Sequence, residues 1–372
     1  MTDPTPQAGR FLARSDFDLL LGALRELGYH CVGPQLHAGA IVYDDLEHAD
    51  QLPVGVSVEQ APGSYRVQQS DSVRSFAWSN GPQALKPLVN APRETLWSAT
   101  TSEDGRLEFI PTPVESTPVA VIGVRSCDLA ALALQDRHFL RPGKEDPAYQ
   151  ARRAALFLVA VNCSHPSATC FCASTGDGPA AGRGYDLVLD ELDEGFLLQG
   201  GSNAGARVLA ALDTREATEA QRAAAAQATT EAIAMQQRSL PAGDLYESLM
   251  ARQAHPHWQD IAGRCLSCGN CTSVCPTCFC TDVRDDWSVD GKRVTHDREW
   301  DSCFTQGHSY LHGHVVRPDT AARYRQWLTH KLGSWHRQYD RSGCVGCGRC
   351  ISWCPTGIDI TAEIPTLLDS DP

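Results

Sequence analysis

Residues 265–276 read CLSCGNCTSVCP and residues 344–355 read CVGCGRCISWCP, two copies of the spacing C-x2-C-x2-C-x3-C-P. In this spacing three thiolates wrap one iron–sulfur cube through a tight loop, while the fourth, a turn further on and followed by Pro, ligates the neighbouring cube. The duplication therefore predicts two [4Fe-4S] clusters held crosswise. Cys265, Cys268, Cys271 and Cys354 belong to one, and Cys344, Cys347, Cys350 and Cys275 to the other. Gly269, Gly346 and Gly348 suit loops that need left-handed backbone and bring N–H groups toward sulfur. Zinc fits poorly, because four-Cys zinc sites generally use two separated pairs.

Eleven of the 16 cysteines lie between Cys265 and Cys354, so the composition changes near Trp258 and a second domain is expected over 258–372. Its two motifs are separated by 281–342, which contains RVTHDREWDSC and RYRQWLTHKLGSWHRQY. A stretch that long does not stay structureless inside a domain. It is expected to be a helical insertion in an α+β fold of the bacterial dicluster-ferredoxin type. Before it, 204–257 is rich in Ala, Gln, Glu and Arg with a break at Pro241-Ala242-Gly243, and reads as a helical connector.

Residues 1–203 alternate short apolar runs with helical patterns, which predicts an α/β domain. GAIVYDD, VGVSV, TPVAVIGVRS, ALFLVAVNCS and YDLVLDEL read as strands, whereas DFDLLLGALREL (16–27) and DLAALALQDRHF (128–139) repeat apolar residues at helical spacing. Cys127 follows the run VAVI and Cys163 follows LFLVAV, with Cys170 and Cys172 close behind. Parallel α/β sheets place their sites at the carboxyl ends of strands. Cys127, Cys163, Cys170 and Cys172 are thus candidate ligands of a third [4Fe-4S] cluster; inert buried cysteines, or cysteines beside a flavin, are the other readings. The run STGDGP (174–179) either passes close to a cofactor or is a plain turn.

Cys278, Cys280 and Cys303 form a further candidate site with three thiolates and no obvious fourth. His296, His308, His312 and His314 are the candidates to complete it, and in the alternative Cys278 and Cys280 line the first ferredoxin cluster. Cys31 stands alone and reads as structural.

Composition narrows the function classes. A net charge of −13 opposes nucleic-acid binding, which relies on clustered Lys and Arg. No stretch approaches the ~20 apolar residues of a membrane span, and the N-terminus lacks the apolar core of a secretory signal, so a cytoplasmic location is expected. In that reducing compartment cysteines serve as metal ligands rather than disulfides. GxSxG, HExxH, P-loop and GxGxxG motifs are all missing, which leaves no fingerprint of a hydrolase nucleophile, a zinc protease or a dinucleotide site.

Taken together, GAIVYDD, APGSYRV, GVRSCDLAAL, NCSHPSATCFCASTGDGP, CPTCFCTDV, REWDSC and RYRQWLTHK before CVGCGRCISWCP resemble the iron–sulfur beta subunit of cytoplasmic sulfhydrogenases, which is similar to the iron–sulfur subunit of the anaerobic sulfite reductase. The resemblance covers most of the chain. It implies an electron-transfer subunit without bond chemistry of its own, relaying electrons between a hydrogenase-like or sulfite-reductase-like catalytic subunit and an FAD-containing, NAD(P)-linked subunit. The rival reading is a flavin-dependent, ferredoxin-coupled oxidoreductase that acts on a small substrate itself; flavin is not expected, because no cofactor fingerprint supports it.

Overall fold

Two runs without polar interruption, VAVIGV and LFLVAV, form the adjacent parallel strands Val119–Val124 and Leu156–Val161 at the centre of an eight-stranded sheet. Such runs signal strands covered on both faces. Here Ala120, Ile122, Phe157 and Val159 face one core, while Val121, Val124, Leu158 and Ala160 face a second. The computed structural model describes residues 9–114 and 116–369. Across the sheet the strands run Arg215–Glu216, Arg10–Ala13, Gly195–Gly200, Leu187–Leu192, Leu156–Val161, Val119–Val124, His30–His37 and Ala40–Asp45. The strands from Leu187–Leu192 to His30–His37 pair in parallel, and antiparallel strands close both edges.

Helix Phe17–Glu26 buries Phe17, Leu20, Leu21 and Leu24, a single stripe at helical spacing. Helix Ser126–Phe139 has no such stripe. Leu129 and Leu132 pack on the sheet, while Cys127, Ala131 and Leu134 pack against Trp335, Tyr339 and Val345 of the C-terminal region. Its apolar residues are spread around the axis because it lies between the two halves of the molecule.

The segment between the cysteine motifs is not helical throughout. It opens with the hairpin Thr281–Trp287 and Arg293–Trp300 and continues with helices Thr320–Thr329 and Trp335–Tyr339. The hairpin completes a four-stranded antiparallel sheet with Arg93–Thr101 and Leu107–Pro111, so this layer draws strands from both ends of the chain. Arg298 joins Glu94 and Asp146, and Arg93 joins Asp297, across the same layer. Residues 203–251 hold three helices, Asn203–Ala211, Glu219–Ala234 and Tyr246–Ala251, with the chain opening around Pro241. Between the first two, Arg215–Glu216 pairs with Arg10–Ala13 and extends the main sheet.

Two contacts lock the cysteine motifs to the sheet. Phe171, between Cys170 and Cys172, is fully buried in the C-terminal core beside Phe304, Tyr324 and Ile351, and its N–H donates to Gly346 O at 2.8 Å. Arg349 of the second motif is bidentate to Asp128 of helix Ser126–Phe139 at 2.8 and 3.0 Å, and its Nε donates to Gly81 O at 2.9 Å. Both side chains of this ion pair are almost completely buried. Removing one partner of such a pair strands the other charge, which costs about 3–5 kcal/mol, whereas replacing both with apolar groups is far cheaper. Arg349→Leu should accordingly lower stability by about 3–5 kcal/mol, and Asp128→Leu added to it should recover most of that loss. Anaerobic denaturant titration checks this; a single variant as stable as the parent contradicts the pair's role.

Candidate metal centres

The two duplicated loops adopt the same backbone. Ser267 and Gly346 occupy the third position of each and have φ of 53° and 64°, and Gly269 and Gly348 occupy the fifth with φ of 76° and 73°. These left-handed turns aim amides at sulfur: Ser267 N–H reaches Cys265 Sγ at 3.4 Å and Gly346 N–H reaches Cys344 Sγ at 3.5 Å. Each loop runs into a one-turn helix, Asn270–Ser273 or Arg349–Ser352, and these helices pack against each other. Their contact carries each fourth cysteine across to the other loop.

Cys265, Cys268, Cys271 and Cys354 line one cavity together with Phe304, Tyr324, Trp327 and Ile358, and Cys350 of the second loop also reaches its wall. Burial raises the Cys271 thiol, and Cys303, Cys265, Cys268 and Cys354 nearby push it further. Tyr324 Oη and Trp327 Nε1 are buried donors with no hydrogen-bond partner among the described residues, and both residues wall this cavity. Buried donors are nearly always satisfied. Acceptors filling the cavity, such as the sulfides of a cluster, would satisfy these two. Cys268 is exposed and Leu266 is 65% exposed, so this group lies at the molecular surface.

Cys344, Cys347, Cys350 and Cys275 make the second group. Burial raises Cys344 to about 12 and also raises Cys347 and Cys350, and Cys275 adds to the rise in each. Cys275 itself is held low, by a hydrogen bond from Cys278 and by the Lys331 ammonium. Lys331 is buried in the wide helical turn His330–Ser334, with Nζ 3.3 Å from Cys275 Sγ, 2.8 Å from Thr277 Oγ1 and 3.4 Å from Gly343 O. Burial opposes its charge, yet the thiolates of Cys275, Cys278 and Cys344 outweigh burial and hold its pKa well above the ordinary lysine value.

Cys127, Cys163, Cys170 and Cys172 also come together, at the carboxyl edge of the parallel strands. Burial raises Cys172, and Cys170, Cys163 and Cys347 raise it further; burial likewise raises Cys127, with Cys347 and Cys172 adding to it. Asn80 Nδ2 donates to Cys127 Sγ at 3.2 Å, Gln236 Nε2 to Cys172 Sγ at 3.5 Å, and Ser167 Oγ lies 3.2 Å from Cys170 Sγ. Arg125, two residues before Cys127, is buried with Nε and Nη1 unpaired among the described residues. The STGDGP run packs on this group, since a Cβ on Gly178 would stand 3.0 Å from Cys172 Sγ.

Cys278, Cys280 and Cys303 line a separate cavity of about 120 Å³ with His308 and Lys331. Of the four candidate histidines, only His308 joins them. His296 bonds Asp285 and stacks on Trp97, and His312 and His314 lie in or beside an exposed two-stranded ribbon. Cys31 is buried in the core under the main sheet. Lys331, Tyr324, Trp327 and Arg349 are site residues that sequence reasoning missed. Lys331, Tyr324 and Trp327 fall in the quoted RYRQWLTHK run, but residue type alone does not announce a buried lysine.

Paired loops with amide-to-sulfur contacts and exchanged fourth cysteines define an iron–sulfur electron-transfer protein. Residues 264–358 match the 4Fe-4S dicluster domain family. Over 313 residues the chain is 30% identical to sulfhydrogenase 2 subunit beta of Pyrococcus furiosus, an alignment covering 80% of this chain and 86% of that relative. The chain belongs to the sulfhydrogenase beta-subunit family. No solved structure matches it. Among the described residues no helix is long and apolar enough to cross a membrane.

The second loop is more constrained than the first. A Cβ on Gly346 would stand 2.5 Å from Cys172 N, whereas the matching position of the first loop already carries the side chain of Ser267. Gly346→Ala should therefore destabilise the protein by about 1–3 kcal/mol through overpacking, and Ser267→Ala should have a much smaller effect. Comparing denaturation midpoints checks this, and equal midpoints for both variants and the parent would refute it.

Proposed function

We propose that this chain is the electron-relay subunit of an oxidoreductase complex, passing electrons through [4Fe-4S] clusters between a catalytic subunit of hydrogenase or sulfite-reducing type and a flavin subunit linked to NAD(P). The observation that carries the reading is the crosswise convergence of Cys354 with Cys265, Cys268 and Cys271, and of Cys275 with Cys344, Cys347 and Cys350. We assign these as the ligands of two clusters, and Cys127, Cys163, Cys170 and Cys172 as those of a third. In architectural terms we read 1–203 as the α/β domain, 204–257 as the connector and 258–372 as the dicluster-ferredoxin domain with 281–342 inserted.

Bound clusters supply one-electron transfer. The protein's part is to exclude water, offer donors to sulfur and set the local charge. The arrangement of the three groups supports a linear path. The first group reaches the surface at Cys268, Cys271 and Cys350 lie close together, and Cys347 acts on Cys127, Cys170 and Cys172. An exposed first group offers a docking end, and the negative net charge favours a partner with a basic face.

Crosswise ligation makes a specific demand on anaerobically purified protein. Cys354→Ala should remove the same electron paramagnetic resonance component as Cys265→Ala, and Cys275→Ala the same component as Cys344→Ala. If Cys354→Ala instead acts on the component lost with Cys344→Ala, the assignment fails. Lys331 places a positive charge beside the fourth ligand of the second cluster. Lys331→Met should lower that cluster's reduction potential with iron content unchanged, and a redox titration showing no shift would remove Lys331 from the relay. Stoichiometric flavin bound to the isolated chain would overturn the relay reading in favour of an enzyme acting on its own substrate.

A further inference from the structure

We propose that Cys278, Cys280, Cys303 and His308 are the protein ligands of an additional iron–sulfur centre, separate from the crosswise pair and from the Cys127 group. Its role as a redox station rests on the relay reading, but its ligands do not. Once Cys31, the crosswise eight and the four of the first domain are set aside, three of the 16 cysteines remain, and all three line one cavity of about 120 Å³.

His308 is oriented as a ligand. Its Nδ1 lies 2.5 Å from Asp301 Oδ2, and His308 lines the cavity together with Cys280. A carboxylate on one ring nitrogen fixes the tautomer and leaves Nε2 to bind metal, the arrangement found around metal-bound histidines. The cavity also has an unmet donor. Arg317 Nε is buried without a hydrogen-bond partner among the described residues, and Arg317 lines it. A sulfide ion in the cavity would accept from it. Lys331 lines the same cavity and offers an ammonium group to offset the thiolate charge.

A single ion fits less well than a cluster. Among the described residues no three His, Cys, Asp or Glu side chains stand close enough together to share one metal ion. Ligands of a cluster bind different irons and stand farther apart. The centre is also not an edge of the first crosswise cluster, because among the described residues Trp327 alone lines both cavities. It sits beside both members of the pair, through Cys303 next to Cys271 and through Cys278 next to Cys275. A neutral imidazole in place of one thiolate, with Lys331 near, raises the potential of such a centre.

The test uses the full-length chain purified anaerobically. Cys303→Ala should lower iron and acid-labile sulfide by up to about four atoms each per chain while leaving the components lost in Cys265→Ala and Cys344→Ala intact. His308→Cys should keep the iron but abolish a strongly coupled 14N signal in pulsed electron paramagnetic resonance and lower one reduction potential. Unchanged iron in Cys303→Ala, or a 14N coupling that is missing from the parent or survives in His308→Cys, overturns the proposal. Failure of the relay reading would show elsewhere, as iron content insensitive to Cys271→Ala. If Cys303→Ala does not fold, the His308→Cys measurement decides alone.

Discussion

Sulfur buried beside sulfur resists ionisation, and that constraint shapes the C-terminal half of this molecule. Desolvation raises Cys127, Cys271, Cys344 and Cys350, and each neighbouring thiol adds to the rise. Thiolates so close together persist only where cations neutralise them. Iron is the natural counter-charge, and its binding would release the protons that burial holds on the thiols. The protein supplies cations of its own, and Lys331 touches Cys275, a thiol held low.

The two halves of the molecule are joined firmly along one seam. Phe171 carries the Cys170–Cys172 loop into the C-terminal core, Gly346 lets that loop approach the second cysteine motif, and Arg349 reaches back to Asp128. A buried network of Gln60, Thr169 and Ser352 lies along the same seam, with Ser352 Oγ 2.6 Å from Gln60 Oε1 and 2.8 Å from Thr169 Oγ1. This seam holds the Cys127 group and the second crosswise group in one fixed arrangement.

Much of this was legible in the residues. The apolar runs ending in GVRSC and VNC are strands, their cysteines emerge at one sheet edge, and the duplicated loops lie side by side with Cys354 beside Cys265, Cys268 and Cys271. Helix Ser126–Phe139 was legible as a helix, though not as one buried on two sides, since that follows from what packs on it. The partnership of Arg93–Thr101 with Arg293–Trp300 was hidden, because strand pairing over such a separation leaves no local mark. Lys331 was hidden for a related reason: a lysine's burial depends on distant thiols, and local pattern reads it as surface. The glycines of the loops had two explanations, and only at Gly346 and Gly348 does close packing by the first domain add to the demand for left-handed backbone.

The four-stranded layer also bears on how the protein is made. Strand Arg93–Thr101 leaves the ribosome well before its partner Arg293–Trp300 exists, and at ordinary translation rates the gap is roughly ten to forty seconds. During that interval one edge of the Arg93–Thr101 and Leu107–Pro111 hairpin is unpaired, and open strand edges invite aggregation. The nascent chain thus passes through a vulnerable stage that ends only when the segment between the cysteine motifs has been synthesised.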